Sequence, residues 1–221
     1  MYEQLSHYYD LFLDDALYEM YYELIQKYQA NGTVLDLGCG TAPLAIKLAE
    51  AGYFVSGTDV SQPMLEEAYN NAVEHNLHIR FFIHDLLDPI ANTYDIFTMS
   101  SDVINYVLSE KDVLSVFNNI SQAMHDRSIL VFDVLRPAFV KELDGYQETI
   151  DLAQDTMHWQ VSHTDIPGQI QHTLNFQDIT EKHLQQTYPL KTYKRLLEEA
   201  DLYIVKKKKT KERIIIICKK L

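Results

Sequence analysis

The feature that most limits what this chain can become is the stretch VLDLGCGTAPLAIKLAE, residues 34–50. A short apolar run reaches Asp36 and Leu37, turns through Gly38 and Gly40, and passes into a helical pattern from Ala42 to Ala51. Glycines at those positions let a strand turn sharply and leave bare backbone where any Cβ would push a neighbour away. So tight a link between an apolar strand and an amphipathic helix is how a parallel sheet begins.

The first half of the chain repeats that unit. YFVSGTD (53–59), HIRFFIHD (78–85), YDIFTMS (94–100) and SILVFDV (128–134) read as further strands. SQPMLEEAYNNAVEH opens a helix with Ser61 as N-cap and Pro63 in its first turn. SEKDVLSVFNNISQAMH opens another, with Ser109 as N-cap and Asp112 placed to favour the helix dipole. Repeated strand–helix–strand units demand a mostly parallel sheet with helices on both faces, the doubly wound α/β class.

After Pro137 the rhythm changes. Trp159, Val161 and His163, then Ile170, His172, Leu174 and Phe176, alternate on either side of Pro167–Gly168. They predict antiparallel strands inserted into the main fold as a β-rich lid. A helix over Leu190–Ala200 and a terminal β-hairpin, YIVKKKKTKERIIIICKK, complete the pattern. Two aromatic-rich helices, roughly Tyr2–Leu13 and Ala16–Gln29, are expected ahead of the first strand, as core packing or as a cover over a cleft. The domain reading is a core of residues 1–137 and 190–221 with a lid at 138–189.

Composition narrows the function classes. With 32 acidic against 19 basic residues the formal net charge is -13, which repels phosphate backbones and makes nucleic acid an unlikely partner. The run KKKKTKER (206–213) is the one basic hint, and lysines at a hairpin also protect a sheet edge. Cys39 and Cys218, far apart, form no disulfide framework and are too few for a structural zinc site, as suits a reducing cytoplasm. His158, His163 and His172 lack a paired ligand spacing, so no metal is expected. MYEQLSHYYDLFLDD has neither a basic nor an apolar region of a signal peptide, and the aliphatic run Ile214–Ile217 is too short to span a bilayer. The expectation is a cytoplasmic enzyme without a membrane partner, monomer or homodimer.

In an open parallel sheet, ligands bind beyond the carboxyl ends of the strands, where strand order reverses. Asp59, at the end of the second strand, is placed to accept both hydroxyl hydrogens of a ribose. A dinucleotide would need G-x-G-x-x-G/A, and the third motif position is Pro43. Asp36 beside the turn has no use for a pyrophosphate and suits an ammonium group instead. Ribose plus ammonium describes S-adenosylmethionine.

VLDLGCGTAPLA, together with FVSGTDVSQPMLEEA, resembles the first two motifs of the class I S-adenosylmethionine-dependent methyltransferases, with Ala42 where that family often has a third glycine. The resemblance implies a Rossmann-like, seven-stranded sheet with an antiparallel terminal hairpin. It also implies that Asp85 accepts a hydrogen bond from the adenine amino group while the Leu86 backbone reads the ring edge. Tyr8-Tyr9-Asp10 is similar to the start of a bacterial subgroup of small methyltransferases, and Tyr8 and Tyr9 either lie over the cofactor, where ring faces favour a sulfonium by cation–π attraction, or simply pack their helix. Ser101 joins Tyr9, Asp36, Gly38, Gly40, Asp59, Asp85 and Leu86 in the cofactor-binding set.

Methyl transfer from a sulfonium is an in-line displacement with a neutral leaving group, so positioning matters most and no single catalytic residue is demanded. The acceptor should approach over strands four and five, where Asp102, Asn105 and Tyr106 of MSSDVINYVLSE, with Tyr8, are the candidate contacts. Asp102 and Asn105 serve equally well as caps of the next helix, and Asp133 is a further candidate. The reading is a methyltransferase for a small-molecule acceptor. Its rivals are an RNA or protein methyltransferase, an NAD-dependent oxidoreductase and a non-enzymatic interaction module.

Overall fold

The computed structural model describes residues 5–152 and 156–221. Tyr2, the expected start of the first helix, and residues 153–155 of the expected lid strands lie outside the described residues.

A seven-stranded sheet forms the core, in the order β10-β11-β5-β4-β1-β2-β3. Its centre is β1 (Thr33–Leu37), in which Val34, Leu35 and Leu37 are all buried because helices cover both faces. β1 runs parallel to β2 (Phe54–Asp59) on one side and β4 (Tyr94–Met99) on the other, while β3 (Arg80–Ile83) extends beyond β2. Strand order therefore reverses between β1 and β4, and the crevice lies beyond their carboxyl ends.

Helices α1 (Asp15–Tyr28) and α2 (Pro43–Glu50) bury Tyr21, Ile25, Leu44 and Leu48 against one face, with Val34, Ile96, Val131 and Ile215. On the other face α4 (Glu110–Ala123) and α6 (Leu190–Glu199) bury Phe117, Tyr193 and Leu197 against Phe97, Phe132 and Ile216. The expected N-caps form: Ser61 accepts from the Met64 N–H ahead of α3 (Gln62–Glu74), and Ser109 from the Asp112 N–H ahead of α4.

The terminal hairpin joins the sheet with β11 (Arg213–Lys220) antiparallel to β5 (Met124–Leu135) and β10 (Leu202–Lys209) at the edge. Ile215, Ile216 and Ile217 are buried from both faces, which explains an aliphatic run without alternation. Lysines 206–209 occupy the exposed edge strand, where charge blunts edge-to-edge pairing.

A separate four-stranded antiparallel sheet follows α5 (Pro137–Glu142), built from β6 (Gln147–Asp151), β7 (Thr156–His163), β8 (Gln169–Asn175) and β9 (Thr180–Gln186). No apolar alternation marks β9, because the face it buries is polar: Glu181, His183 and Gln185 are the buried side chains. α5 is too short for a periodic signal. The first expected helix is a 3-10 run instead, Leu5–Phe12, ended where Asp14 accepts the Ala16 and Leu17 N–H groups to start α1. That run packs Leu5, Tyr8, Tyr9 and Phe12 on Met157, Trp159, Leu174 and Phe176 of the second sheet.

The hairpin is also tied to the crevice electrostatically. Pairing Ile215 with Asp133 brings Arg213 to the end of β5, where its Nη1 donates to Asp133 Oδ2 at 2.9 Å and Asp102 Oδ1 at 2.8 Å. Asp133 is fully buried, and Tyr21 and the Asp102 N–H supply its other hydrogen bonds. Burial pushes the Asp133 carboxyl up and the Arg213 guanidinium pulls it down. Arg213→Met is expected to cost about 3–5 kcal/mol at neutral pH by leaving an unpaired buried charge. The loss should shrink in urea unfolding at pH 5, because the variant relieves the burial by protonating Asp133 in the folded state.

Candidate active site

The glycine turn after β1 is held by one carboxylate. Gly40 N–H donates to Asp59 Oδ2 at 3.0 Å, and Ser61 N–H donates to Asp59 Oδ1 at 2.9 Å. Asp59 thus ties the turn to the start of α3. Each oxygen keeps a lone pair for a further donor. Burial raises the Asp59 pKa, and the backbone hydrogen bonds oppose that rise.

Each glycine has a different reason. A Cβ on Gly38 would meet Val103 Cγ1 at 2.6 Å, so its absence is a packing requirement. A Cβ on Gly40 would meet only the Tyr9 ring, at 3.7 Å, across the space above the turn. Both have positive φ, +67° and +55°. Ala42, in place of a third glycine, is also left-handed at φ 69°. Its methyl is buried in the α1–α2 core, whose packing offsets the conformational cost.

Above the turn is a cavity of about 120 Å³ walled by Tyr9, Tyr18, Gly38, Cys39, Gly40, Asp59, Val60, Met64, His84, Leu86, Ser100, Ser101, Val103 and Tyr106. The polar end is Asp59; Val60, Met64 and Leu86 form an apolar slot beside it. Tyr18 hydroxyl and Ser101 Oγ are 3.0 Å apart. Burial pushes the Tyr9 and Tyr18 phenols up, so they stay neutral. Cys39 is buried and its thiol is likewise pushed up by burial, which makes it a small filler rather than a nucleophile. A larger groove, about 690 Å³, lies between α1, α2 and α3. Its Asp10, Glu19 and Glu50 already hold Asn71, Lys47 and His75, and it sits away from the strand ends that define the crevice.

Of the residues singled out from the sequence, Tyr9, Gly38, Gly40, Asp59, Leu86, Ser101 and Tyr106 meet around the cavity. Asp36 does not. It is 1% exposed beneath the turn, its Oδ1 accepts the Thr98 hydroxyl at 2.6 Å, and burial pushes its pKa up to about 7. Buried without access to the cavity, its carboxyl makes no direct contact with a group bound there. Asp85 is exposed, and its Oδ1 accepts the Leu87 N–H of its own turn at 2.9 Å. Tyr8 stacks on Phe176, with ring centroids 6.3 Å apart, and belongs to the lid cluster.

Asn105 and Asp102 are corrections of a different kind. Asn105 is fully buried and donates to the Gln186 carbonyl while accepting the Leu135 N–H, so it joins lid to core rather than touching an acceptor. Nor does it cap a helix, since Ser109 caps α4. Asp102 accepts from Arg213 and Gln185. Gln185 Oε1 in turn pairs with His172 Nε2 at 3.0 Å, and His172 Nδ1 accepts the Trp159 indole N–H at 3.1 Å. Because an indole can only donate, Nδ1 is the bare nitrogen and His172 is neutral. Its pKa is lowered first by burial. This relay ties the second sheet to the loop after β4 and to Arg213. It also braces Ser101 and Asp102, consecutive left-handed residues at φ 59° and 55°.

Sequence reasoning missed Val60, Met64, His84, Val103 and Tyr18 as walls, and Arg213 as the bridge. Val60 and Met64 had a usable signal, lying one and five positions beyond Asp59 at a strand-to-helix turn. Arg213 had none, hidden in a lysine-rich run.

The model of a methyltransferase domain family matches residues 34–127, from β1 into β5. A putative methyltransferase of Geobacillus sp. (strain WCH70) is 28% identical, over 99% of this chain and 99% of the relative. The chain is an S-adenosylmethionine-dependent methyltransferase with the class I fold. Its fold is that of an S-adenosylmethionine-dependent methyltransferase from Clostridium acetobutylicum ATCC 824, with TM-score 0.83 at 22% identity over 99% of this chain and 98% of that one. The sugar N-methyltransferase KedS8 from Streptoalloteichus sp ATCC 53650 shares it, with TM-score 0.77 at 16% identity over 96% and 92%.

The cavity's chemistry fits the cofactor of this methyltransferase: a carboxylate with lone pairs to spare, a glycine face without side chains and an apolar slot. Its volume is below the roughly 300 Å³ at which small-molecule sites begin. The Tyr9 ring is the side chain that faces Gly40 across the cavity. Gly38→Ala is expected to lower stability by about 1–3 kcal/mol in urea unfolding, through the Val103 clash and the positive φ. Gly40→Ala should cost about 1–2 kcal/mol of stability yet weaken S-adenosylhomocysteine binding at least tenfold, because its methyl enters the cavity.

Proposed function

We propose that this methyltransferase acts on a small-molecule acceptor inside the cytoplasm. The observation that carries this reading is the make-up of the cavity: Tyr9 of the Leu5–Phe12 segment, Tyr18 and Tyr106 line a recess of about 120 Å³ above the glycine turn. A recess of this kind suits a small molecule better than the flat face of a folded macromolecule.

When bound, S-adenosylmethionine supplies an electrophilic methyl group on a sulfonium, displaced in line with a neutral thioether leaving. Asp59 holds the ribose hydroxyls through its free lone pairs, and the Gly38–Gly40 backbone lets the ligand lie close. The faces of Tyr9 and Tyr106 favour a cation beside them. Ser101, held by Tyr18, offers an oriented hydroxyl at the same wall. Excluding water and fixing alignment are what the lid contributes to the rate. Tyr106, 36% exposed at the rim, is the acceptor-side contact.

A second reading has one observation in its favour. Lys209 pairs with Ile214, next to the Arg213–Leu135 pair at the carboxyl end of β5, so the basic hairpin turns at the same end of the sheet as the cavity. An RNA or protein acceptor could dock there. Methyl-labelled S-adenosylmethionine incubated with a cell extract split by size separates the two readings. Label is expected in products below about 1 kDa; label confined to RNA or protein overturns the small-molecule reading.

A further inference from the structure

We propose that Arg213 is a positioning residue for cofactor binding: by gripping Asp102 it sets the loop after β4 that walls the cavity. The assignment rests on that cavity being the S-adenosylmethionine site. No motif of the sequence marks Arg213, which closes the basic run KKKKTKER.

The loop supplies much of the cavity. Ser100, Ser101, Val103 and Tyr106 all line it. Val103 also packs on the glycine turn, since it is the side chain that a Cβ on Gly38 would strike. In the middle of the loop, Ser101 and Asp102 are left-handed at φ 59° and 55°. Residues other than glycine hold that conformation only where their surroundings impose it. Whatever fixes this corner therefore fixes the wall on either side of it.

The fixing groups converge on Arg213. Its Nη1 donates to Asp102 Oδ1 at 2.8 Å and to Asp133 Oδ2 at 2.9 Å, and the Asp102 N–H donates to the same Asp133 oxygen at 3.1 Å. One nitrogen thus closes a ring that clamps both the side chain and the backbone of Asp102. Tyr21 and Gln185 donate to the remaining oxygens of Asp133 and Asp102. The Asp133 side chain is wholly buried and that of Asp102 is 17% exposed, with a single guanidinium between them. Without the cation, two carboxylates repel each other across a site from which water is largely excluded. Asp102, the less buried of the two, relieves the repulsion by turning toward solvent. Ser101 and Val103, its chain neighbours, then leave their places on the wall.

The test measures S-adenosylhomocysteine affinity by calorimetry and stability by urea unfolding. It compares the wild-type protein with Arg213→Met, Arg213→Lys, Asp102→Gly and the Asp102→Gly/Arg213→Met pair. Arg213→Met is expected to weaken binding roughly 3- to 30-fold. Asp102→Gly tolerates the left-handed corner and leaves Arg213 on Asp133, yet removes the grip, and should weaken binding by a similar factor. Because Arg213 acts through Asp102, the pair should bind no worse than the weaker single variant. Arg213→Lys brings one ammonium toward both carboxylates and should recover part of the affinity. If Arg213→Met or Asp102→Gly binds as wild type does, whatever it loses in stability, Arg213 is purely structural and the proposal is refuted. It is refuted equally if the losses of the two single variants multiply in the pair. Should Arg213→Met not fold, Asp102→Gly decides alone by the same criterion. A wild-type protein that ignores S-adenosylhomocysteine altogether would instead overturn the cofactor site, and this assignment with it.

Discussion

The architecture of this site depends on one carboxylate that works twice. Asp59 anchors the glycine turn through the Gly40 N–H and the start of α3 through the Ser61 N–H, and still offers lone pairs toward the cavity. With two backbone bonds, Cys39 N–H to the Thr58 carbonyl and Ala42 N–H to the Cys39 carbonyl, that anchor holds a turn containing three left-handed residues, Gly38, Gly40 and Ala42. The parallel pairing of β1 with β2 brings the two ends together, so the sheet itself builds the clamp. Fold and binding site are the same set of hydrogen bonds at this point.

Around the clamp, the molecule uses buried charge to position a cover. Asp133 and Arg213 lie where the terminal hairpin joins β5, and Asp102 extends the pair into the loop after β4. Through Gln185 and His172 the same chain of hydrogen bonds reaches Trp159 in the second sheet. Trp159 packs edge-on against Phe12 in the cluster that also holds Tyr9, and Tyr9 lines the cavity.

Much of this was legible in the sequence, for physical reasons that can be named. β1, β2 and β4 are buried apolar runs ended by turn chemistry, and Ser61 and Ser109 cap the helices expected of them. Asp59 and the glycines announced themselves because few other residue types can make so tight a strand-to-helix turn and anchor it. Illegible parts were those decided by distant partners. β9 buries Glu181, His183 and Gln185, and polar residues buried through mutual bonding look like surface to any periodicity argument. Asp36 looked like a cofactor ligand, yet its side chain faces Thr98 beneath the turn. Asn105 looked like a substrate contact, yet it joins β5 to the lid. In each case the direction of the side chain was set by a strand that sequence alone could not place.

Titrating S-adenosylhomocysteine into the wild-type protein and into Asp59→Ala by calorimetry tests the central claim most directly. The account predicts submillimolar binding to the wild-type protein and at least a 100-fold loss in the variant, since charge-assisted hydrogen bonds to the ribose disappear. Equal affinity in the two proteins, or no heat with either, would contradict it.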